Sequence, residues 1–595
     1  MFLRYTTRKK NGKEHRYYSL VENRRVASGR VVQRHALYLG EINDSQQEAW
    51  RKTIEIFEEG RVRPRAVALF PEDRIGPVAD EDIVRIRLSR LSLHRPRQWG
   101  ACWLAGELWE QLGLDRFWAE RLPPSRKGTR WDWVLQILAT YRLLDPGSEW
   151  RLYRHWFEHS ALADLLGADL ELADIHKLYE CHERLLEHKE SLFSHLHQRW
   201  KDLFNARFEV LLYDLTSTYF ESDPPFAPED KRRHGYSRDK RPDCVQVVIA
   251  LIVTPEGFPL AYEVLAGNTS DKTTLADFLK KIEQQYGKAE RIWVMDRGIP
   301  TEEVLAQMRA ARPAVQYLVG TPRGRLSQYE QRLTGPPWQV VREGVSVKLL
   351  EAGQELYVLA RSQDRVNKER AMRRRQLKGL WKRLQALQKM KLKRDPLLKK
   401  LGVALHDYPV AARLVQTGVP PRNASLNFAL RKDKLRQARQ REGRYLLRSN
   451  ITAGRSPEEL WQFYIQLTEV EAAFKSLKDD LALRPIYHQL EHRIEAHIFI
   501  SFLAYCLQAT LRRRLRDLAP GLTARSVLGK FATIQMLDVH LPTTDERTVV
   551  LSRYTHPETD VQLLLQRLKL ELPAQPPPKI TGPKRPGNGG SVVKT

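Results

Sequence analysis

Three long apolar runs leave this chain little choice of architecture. They lie at 208–220, 244–254 and 259–267, within FEVLLYDLTSTYFE, CVQVVIALIVT and PLAYEVLAG. Each reads as a buried strand, which needs cover on its faces. The Pro255–Gly257 turn predicts an antiparallel hairpin between the second and third. Beyond them the pattern alternates: a helix over Thr273–Tyr286, a strand ending at Asp296 in RIWVMDRG, a helix over Glu302–Ala311, and the strand VQYLVG at 315–320. Antiparallel strands followed by β-α units predict an α/β fold with a mixed sheet and helices on its faces.

Acidic residues interrupt these runs. Asp214 sits inside the first run and Asp296 closes RIWVMDRG; Glu471 lies in the helical stretch YIQLTEVEAAFKSLK. A carboxylate inside an apolar run is costly unless something positive meets it. Oxygen-rich sites of this kind suit Mg²⁺, and paired Mg²⁺ ions serve phosphodiester chemistry. Ser456-Pro457-Glu458-Glu459 is a strong helix start. Behind it Phe463, Leu467, Val470, Phe474, Leu477 and Leu481 recur at alternating spacings of four and three, a seam that docks on the sheet. Tyr464, Glu471 and Lys478, seven apart, are expected along one edge of that seam, with Lys475 adding positive charge.

The rest of the chain divides around this core. Residues 1–70 read as a small basic β unit, with turns at Lys10–Lys13 and Asn23–Arg25, then a helix over Gln46–Glu59. Residues 90–204 read as a helical domain, 205–324 as the first half of the core, 325–445 as an insertion, 446–570 as the second half, and 571–595 as a disordered basic tail. The insertion holds a very basic helical stretch, Arg365–Lys400, with 15 Lys or Arg against two acids.

The whole chain carries 99 Lys and Arg against 72 Asp and Glu, a formal net charge of +27 that argues for a polyanionic partner, nucleic acid being the commonest. Its 595 residues exceed one core and suggest about three to five domains. Cys102, Cys181, Cys244 and Cys506 form no CxxC pair, which points away from a disulfide framework or zinc ribbon and toward a reducing compartment. The apolar stretch Ile498–Leu511 is shorter than a bilayer span and reads as a buried helix, so no membrane partner is expected. His488, His492 and His497 lack HExxH order and read as helix-surface or core residues. Tyr213 and Tyr219 read as strand packing, and Trp338 and Trp381 as core.

The chain resembles an insertion-sequence transposase of the DDE (Asp-Asp-Glu) type. Within that class it is similar to the bacterial group with a Tyr–Arg–Glu–Lys signature around the third acid. Tyr464, Leu467, Glu471 and Lys478 stand at the signature spacing, with Leu467 in place of the arginine. YDLTSTYF around Asp214, MDRG around Asp296 and RPIYHQLEHRIEAHIFISFLAYCL after the third acid share the likeness, which spans about residues 205–570.

The resemblance implies an RNase H-like catalytic core interrupted by an insertion. It implies that Asp214, Asp296 and Glu471 hold two Mg²⁺ ions, for which Mn²⁺ substitutes. One ion activates water to cut DNA at the element's end, and the other stabilises the leaving 3′ oxygen. The freed 3′-hydroxyl then joins target DNA. Implied partners are the terminal inverted repeats, target DNA and a second copy in a homodimeric synapse. Tyr464, Lys475 and Lys478, with Arg373, Arg374 and Arg375 of the basic stretch, are the expected DNA contacts. The expected location is the bacterial cytoplasm, on the nucleoid when DNA is bound. Two alternatives stay open: a related nuclease without strand transfer, and a non-catalytic DNA-binding derivative.

Overall fold

The computed structural model describes residues 2–10, 13–25, 31–41, 54–56, 65–67, 84–221, 230–269, 275–286, 291–296, 299–321, 329, 337–390, 392–421 and 425–581. The chain divides into two compact units, residues 1–181 with 510–595, and residues 182–509.

In the first unit, Phe2–Lys10, Lys13–Arg25 and Val31–Glu41 form an antiparallel sheet in chain order. Asn23–Arg25 continue the second strand, where the sequence suggested a turn; they pair with Val31–Gln33. Within the helix expected over 46–59, Ile54–Ile56 instead forms a strand, paired with Arg65–Val67 and Val84–Ile86. Two β-branched residues flanking a glutamate fit a pleat better than a helix face. The rest of that segment lies outside the described residues.

Helices Gly100–Gln111, Leu114–Arg121 and Trp131–Leu144 follow. A Cβ on Gly100 would stand 2.3 Å from the Phe531 carbonyl, so only glycine admits that approach. A four-stranded sheet that the sequence did not announce pairs Ser92–Gln98, Gln535–Pro542, Thr548–Tyr554 and Lys579–Thr581. SLHRPRQ has no apolar alternation, and its proline fits only because this strand lies at the sheet edge. Lys579–Thr581 pairs with Thr548–Val550, so the tail expected to be disordered from 571 is structured there; residues 582–595 lie outside the described ones. Arg97, 1% exposed, ties this unit together through Asp164 at 2.7 Å and Asp538 at 3.0 Å.

The second unit is built on a nine-stranded sheet. Its strands are β1 (Val210–Phe220), β2 (Val245–Val253), β3 (Pro259–Ala266), β4 (Ile292–Met295), β5 (Gln316–Gly320), β6 (Gln339–Arg342), β7 (Val345–Ala352), β8 (Glu355–Ser362) and β9 (Arg444–Ser449). The order is β3-β2-β1-β4-β5-β9-β8-β7-β6. β1, β2 and β3 pair antiparallel, and β1, β4 and β5 pair parallel. That 3-2-1-4-5 arrangement is the RNase H-like order. The β2–β3 hairpin turns at Gly257, whose φ of +89° is cheap for glycine.

Helices α1 (Leu275–Tyr286) and α2 (Glu302–Ala310) follow β3 and β4. The Tyr213 ring meets Phe278 of α1, so the next residue, Asp214, points to the other face.

The chain between β5 and β9 does two things. Its first part, β6 to β8, extends the core sheet through β9 instead of standing apart as the interruption suggested by the sequence. A buried cluster fastens this join. Glu355 takes Arg448 at 2.6 Å and Arg309 at 2.6 Å, and Arg448 also reaches Glu302 at 2.8 Å.

Its second part forms a helical lobe. There α3 (Gln363–Lys389) and α4 (Arg394–Asp407) pack through Leu380, Leu384, Leu387, Leu397 and Leu401. The basic stretch therefore falls on two helices, the first ending at Lys389 and the second beginning at Arg394. Trp381 meets Phe428 edge-on in this lobe, and Trp338 packs beside Tyr357, Leu359 and Leu446.

Helices α5 (Pro457–Ile465) and α6 (Leu467–Lys475) carry the seam. Ser456 and Glu459 form the capping box at the start of α5. Leu467, Val470, Phe474, Leu477 and Leu481 are buried, and α6 lies on β1 and β2. Helix α7 (Glu491–Leu518) is long and apolar enough to cross a membrane by length and composition, but 94% of its apolar window is buried inside the protein. All four cysteines are free and buried.

Candidate active site

The β1–β4 pairing sets the first two acids side by side. Tyr213 faces Met295 across two parallel strands, so one more step of the register aligns Asp214 with Asp296. Neighbouring strands stand about 4.8 Å apart, close enough for two carboxylates to share ligands. Burial of Val470, Ala473 and Phe474 fixes the rotation of α6, and Glu471 stays exposed at its edge. Asp214, Asp296 and Glu471 line one cleft. Asp214 is half-buried and its Oδ1 accepts from the Leu215 amide at 2.8 Å; Asp296 is exposed.

Tyr464 lies in the same cleft, its hydroxyl 3.4 Å from Asp296 Oδ1. Burial first, then the nearby Asp296 charge, raises the Tyr464 phenol above its ordinary range.

Lys478 does not follow the seven-residue line. Helix α5 stops at Ile465, and after α6 a single wide turn, Ser476–Asp480, closes from the Leu481 amide to the Ser476 carbonyl. An extra residue in a turn rotates the chain beyond it. Lys478 instead pairs with Asp239 at 2.7 Å, with side chains only 9% and 5% exposed. Burial lowers the Lys478 pKa, against the pull of Asp239. Arg484 also pairs with Asp239. Lys475 is exposed on α6 and is not part of the cleft lining.

The three arginines of the basic stretch part company. Arg373 is buried on Glu442, whereas Arg374 and Arg375 are exposed. Three consecutive helical positions span about 200° of arc, so they cannot share a face. Lys368, Arg375, Lys382 and Lys389, seven apart and all exposed, form the basic stripe of α3.

Several residues of the cleft escaped the sequence reading. Arg365, Arg444 and Tyr445 line it with the acids, and Arg238 lies beside Asp214 and Glu471. The available signal was position: Arg365 follows the Ser362 N-cap of α3, and Arg444 opens the strand that resumes the core. His488 packs against the rings of His182 and His497, at 5.1 and 5.4 Å between centroids.

Residues 205–507, just over half of the chain, match the family described as the transposase DDE domain. The chain belongs to the DDE transposases. Residues 3–68 also match the N-terminal domain of the IS1634 family of transposases, which places this transposase with the insertion-sequence elements of that group. Among solved structures, a cryo-EM structure of the piggyBac transposase synaptic complex with hairpin DNA matches over 72% of this chain and 79% of its own, at 10% identity and a TM-score of 0.33. A likeness that slight bears on neither fold nor function. No curated protein matches the transposase.

Proposed function

We propose that this transposase binds the terminal inverted repeats of its element, cuts the DNA there, and joins the freed 3′-hydroxyl to target DNA, working as a homodimer that holds two ends. The observation that carries the reading is the meeting of Asp214, Asp296 and Glu471 in one cleft from three separate elements. A donor set of carboxylate oxygens fits a hard divalent cation, and these residues would hold two Mg²⁺ ions, or Mn²⁺ in their place. Bound there, the ions supply an activated water and charge stabilisation for the departing 3′ oxygen.

The protein's own part is positioning. The β1–β4 register holds Asp214 and Asp296, the α6 seam holds Glu471, and Tyr464 orients Asp296. Arg374, Arg375 and the α3 stripe offer phosphate contacts that add affinity without sequence choice. The β unit at 1–70 and the helical segment from 90 are assigned to reading the DNA ends, since a carboxylate cleft alone reads little sequence. In a bacterial cell this activity belongs in the cytoplasm, on the nucleoid.

The test incubates the purified chain with a duplex carrying the inverted repeat that flanks its gene, with Mg²⁺, and maps nicks and joined products. Nicking at the repeat boundary followed by joining is expected. Nicks without joining leave a nuclease. DNA binding with no cleavage in either Mg²⁺ or Mn²⁺ leaves a DNA-binding derivative.

A further inference from the structure

The cleft has a second wall, and it is cationic. Arg365, in the first turn of α3, lies with its guanidinium carbon 5.0 Å from the centroid of the Tyr445 ring. Its Nε donates to Glu369 at 3.2 Å, and Glu369 in turn accepts from the Gly443 amide at 2.9 Å. Arg444, the first residue of β9, lies 5.7 Å from the Trp338 ring centroid. Tyr445 is itself fixed: Trp461 Nε1 donates to its hydroxyl at 2.6 Å, and its ring stacks on Tyr464 at 5.9 Å. Arg365 is thus aimed by packing, and both arginines line the cleft that holds the three carboxylates.

Leu467 lines the same cleft and is hydrocarbon, 7% exposed. A strand brought to the carboxylates carries a negative phosphate on each side of the one under attack. The guanidinium fork matches a phosphate with two parallel hydrogen bonds. In Arg365 the Nε edge is engaged by Glu369 and the ring of Tyr445 faces the guanidinium, so neither contact uses the Nη edge.

We propose that Arg365 and Arg444 grip the backbone phosphate next to the scissile one, and so set where along the strand the cut falls. This rests on the function proposed above and names the residues that position its substrate. It assigns them to chain lying between the second and third acids, away from the α6 helix.

The experiment uses the full chain, Mg²⁺, and the inverted-repeat duplex with a single neutral methylphosphonate walked across the phosphates around the cut. For the wild type, one neutral linkage beside the scissile bond is expected to slow cleavage roughly 10- to 100-fold. R365Q and R444A are expected to slow cleavage of the all-phosphate duplex by a similar factor and to spread the cut over neighbouring positions. The neutral linkage then costs these variants nothing further, and R365K recovers part of the rate. The proposal is overturned if both variants cut like the wild type. It is also overturned if they are slow yet every neutral linkage still slows them as it does the wild type, since that is the mark of a structural role. If the wild type cuts no duplex in Mg²⁺ or Mn²⁺, the proposed function fails and this inference falls with it. That outcome is read in the wild-type arm alone.

Discussion

The two halves of the nine-stranded sheet bring opposite charges to one cleft, and they are built by different routes. The half ordered β3-β2-β1-β4-β5 comes from a hairpin and two β-α units, and its acids sit within one strand and just past the next. The half ordered β9-β8-β7-β6 comes wholly from chain between the second and third acids, and that chain brings Arg365 and Arg444. The first half places its charges by neighbouring register. The second places them by the antiparallel β8–β9 register, with Arg361 opposite Arg444, and by the start of α3. The first two acids thus sit on neighbouring parallel strands, while the arginines that face them sit where the chain enters and leaves the helical lobe.

The largest expected effect isolates the acidic half. Asp296 is exposed beyond the end of β4, so Asp296→Asn leaves the fold intact. Metal-dependent nicking of the element-end duplex should fall about ten-thousandfold, or about 5 kcal/mol in barrier. Nicking at the wild-type rate would take this half out of the chemistry. The next effect breaks the join between the halves. Glu355→Ala removes the buried one of Arg448's two carboxylate partners and takes a carboxylate from Arg309 as well, which should cost about 3–5 kcal/mol in a denaturant melt. A loss under about 1 kcal/mol would mean that the join is held elsewhere.

On the basic half, Arg374→Ala, Arg375→Ala and Lys382→Ala together should weaken DNA binding about tenfold. They should also flatten its log–log salt dependence by about 2 to 3 units. An unchanged salt slope would remove α3 from the DNA path.

Ser456→Ala should cost about 1 kcal/mol through the start of α5. Its partner Glu459 has a pKa held below the usual value by the Ser456 amide, then by Arg455. A lowered carboxylate pKa stabilises the fold above the unfolded value of 4.5 and loses that contribution as pH falls through the folded one. Hydrogen-exchange protection in α5, relative to the unfolded rate at the same pH, should therefore fall below about pH 4.5, and Glu459→Gln should remove that pH dependence. Smallest of all, Tyr464→Phe loses a long hydrogen bond to Asp296 and should slow nicking about two- to fivefold. A larger loss would give the phenol a direct part in the chemistry.

The sequence spoke most clearly where structure is local. The apolar runs gave β1 to β5 within a residue or two, because continuous burial leaves few other conformations. Asp214 and Asp296 stood out because acids in apolar runs are rare, and Glu471 through its spacing from Tyr464 and Lys478. The seven-residue line through Tyr464, Glu471 and Lys478 failed at its end, since one wide turn at Ser476–Asp480 is invisible in a spacing pattern. Arg373 looked like its neighbours in sequence; only the position of Glu442 drew it inward. The joining of β6–β8 to the core sheet was hidden because short strands do not announce their partners. Ser92–Gln98 was missed for a related reason: an edge strand needs little apolar content to pair.

The lobe leaves the sheet at Ser362 and returns at Gly443, where the Ser362 amide meets the Gly443 carbonyl at 3.0 Å. A segment whose two ends touch is a cassette: it can be lengthened, trimmed or swapped while the strands on either side stay zipped. Such an exchange would carry Arg365 away and leave Arg444 and all three acids in place. Elements that share this core can therefore trade one way of seating DNA for another without reinventing how they cut it.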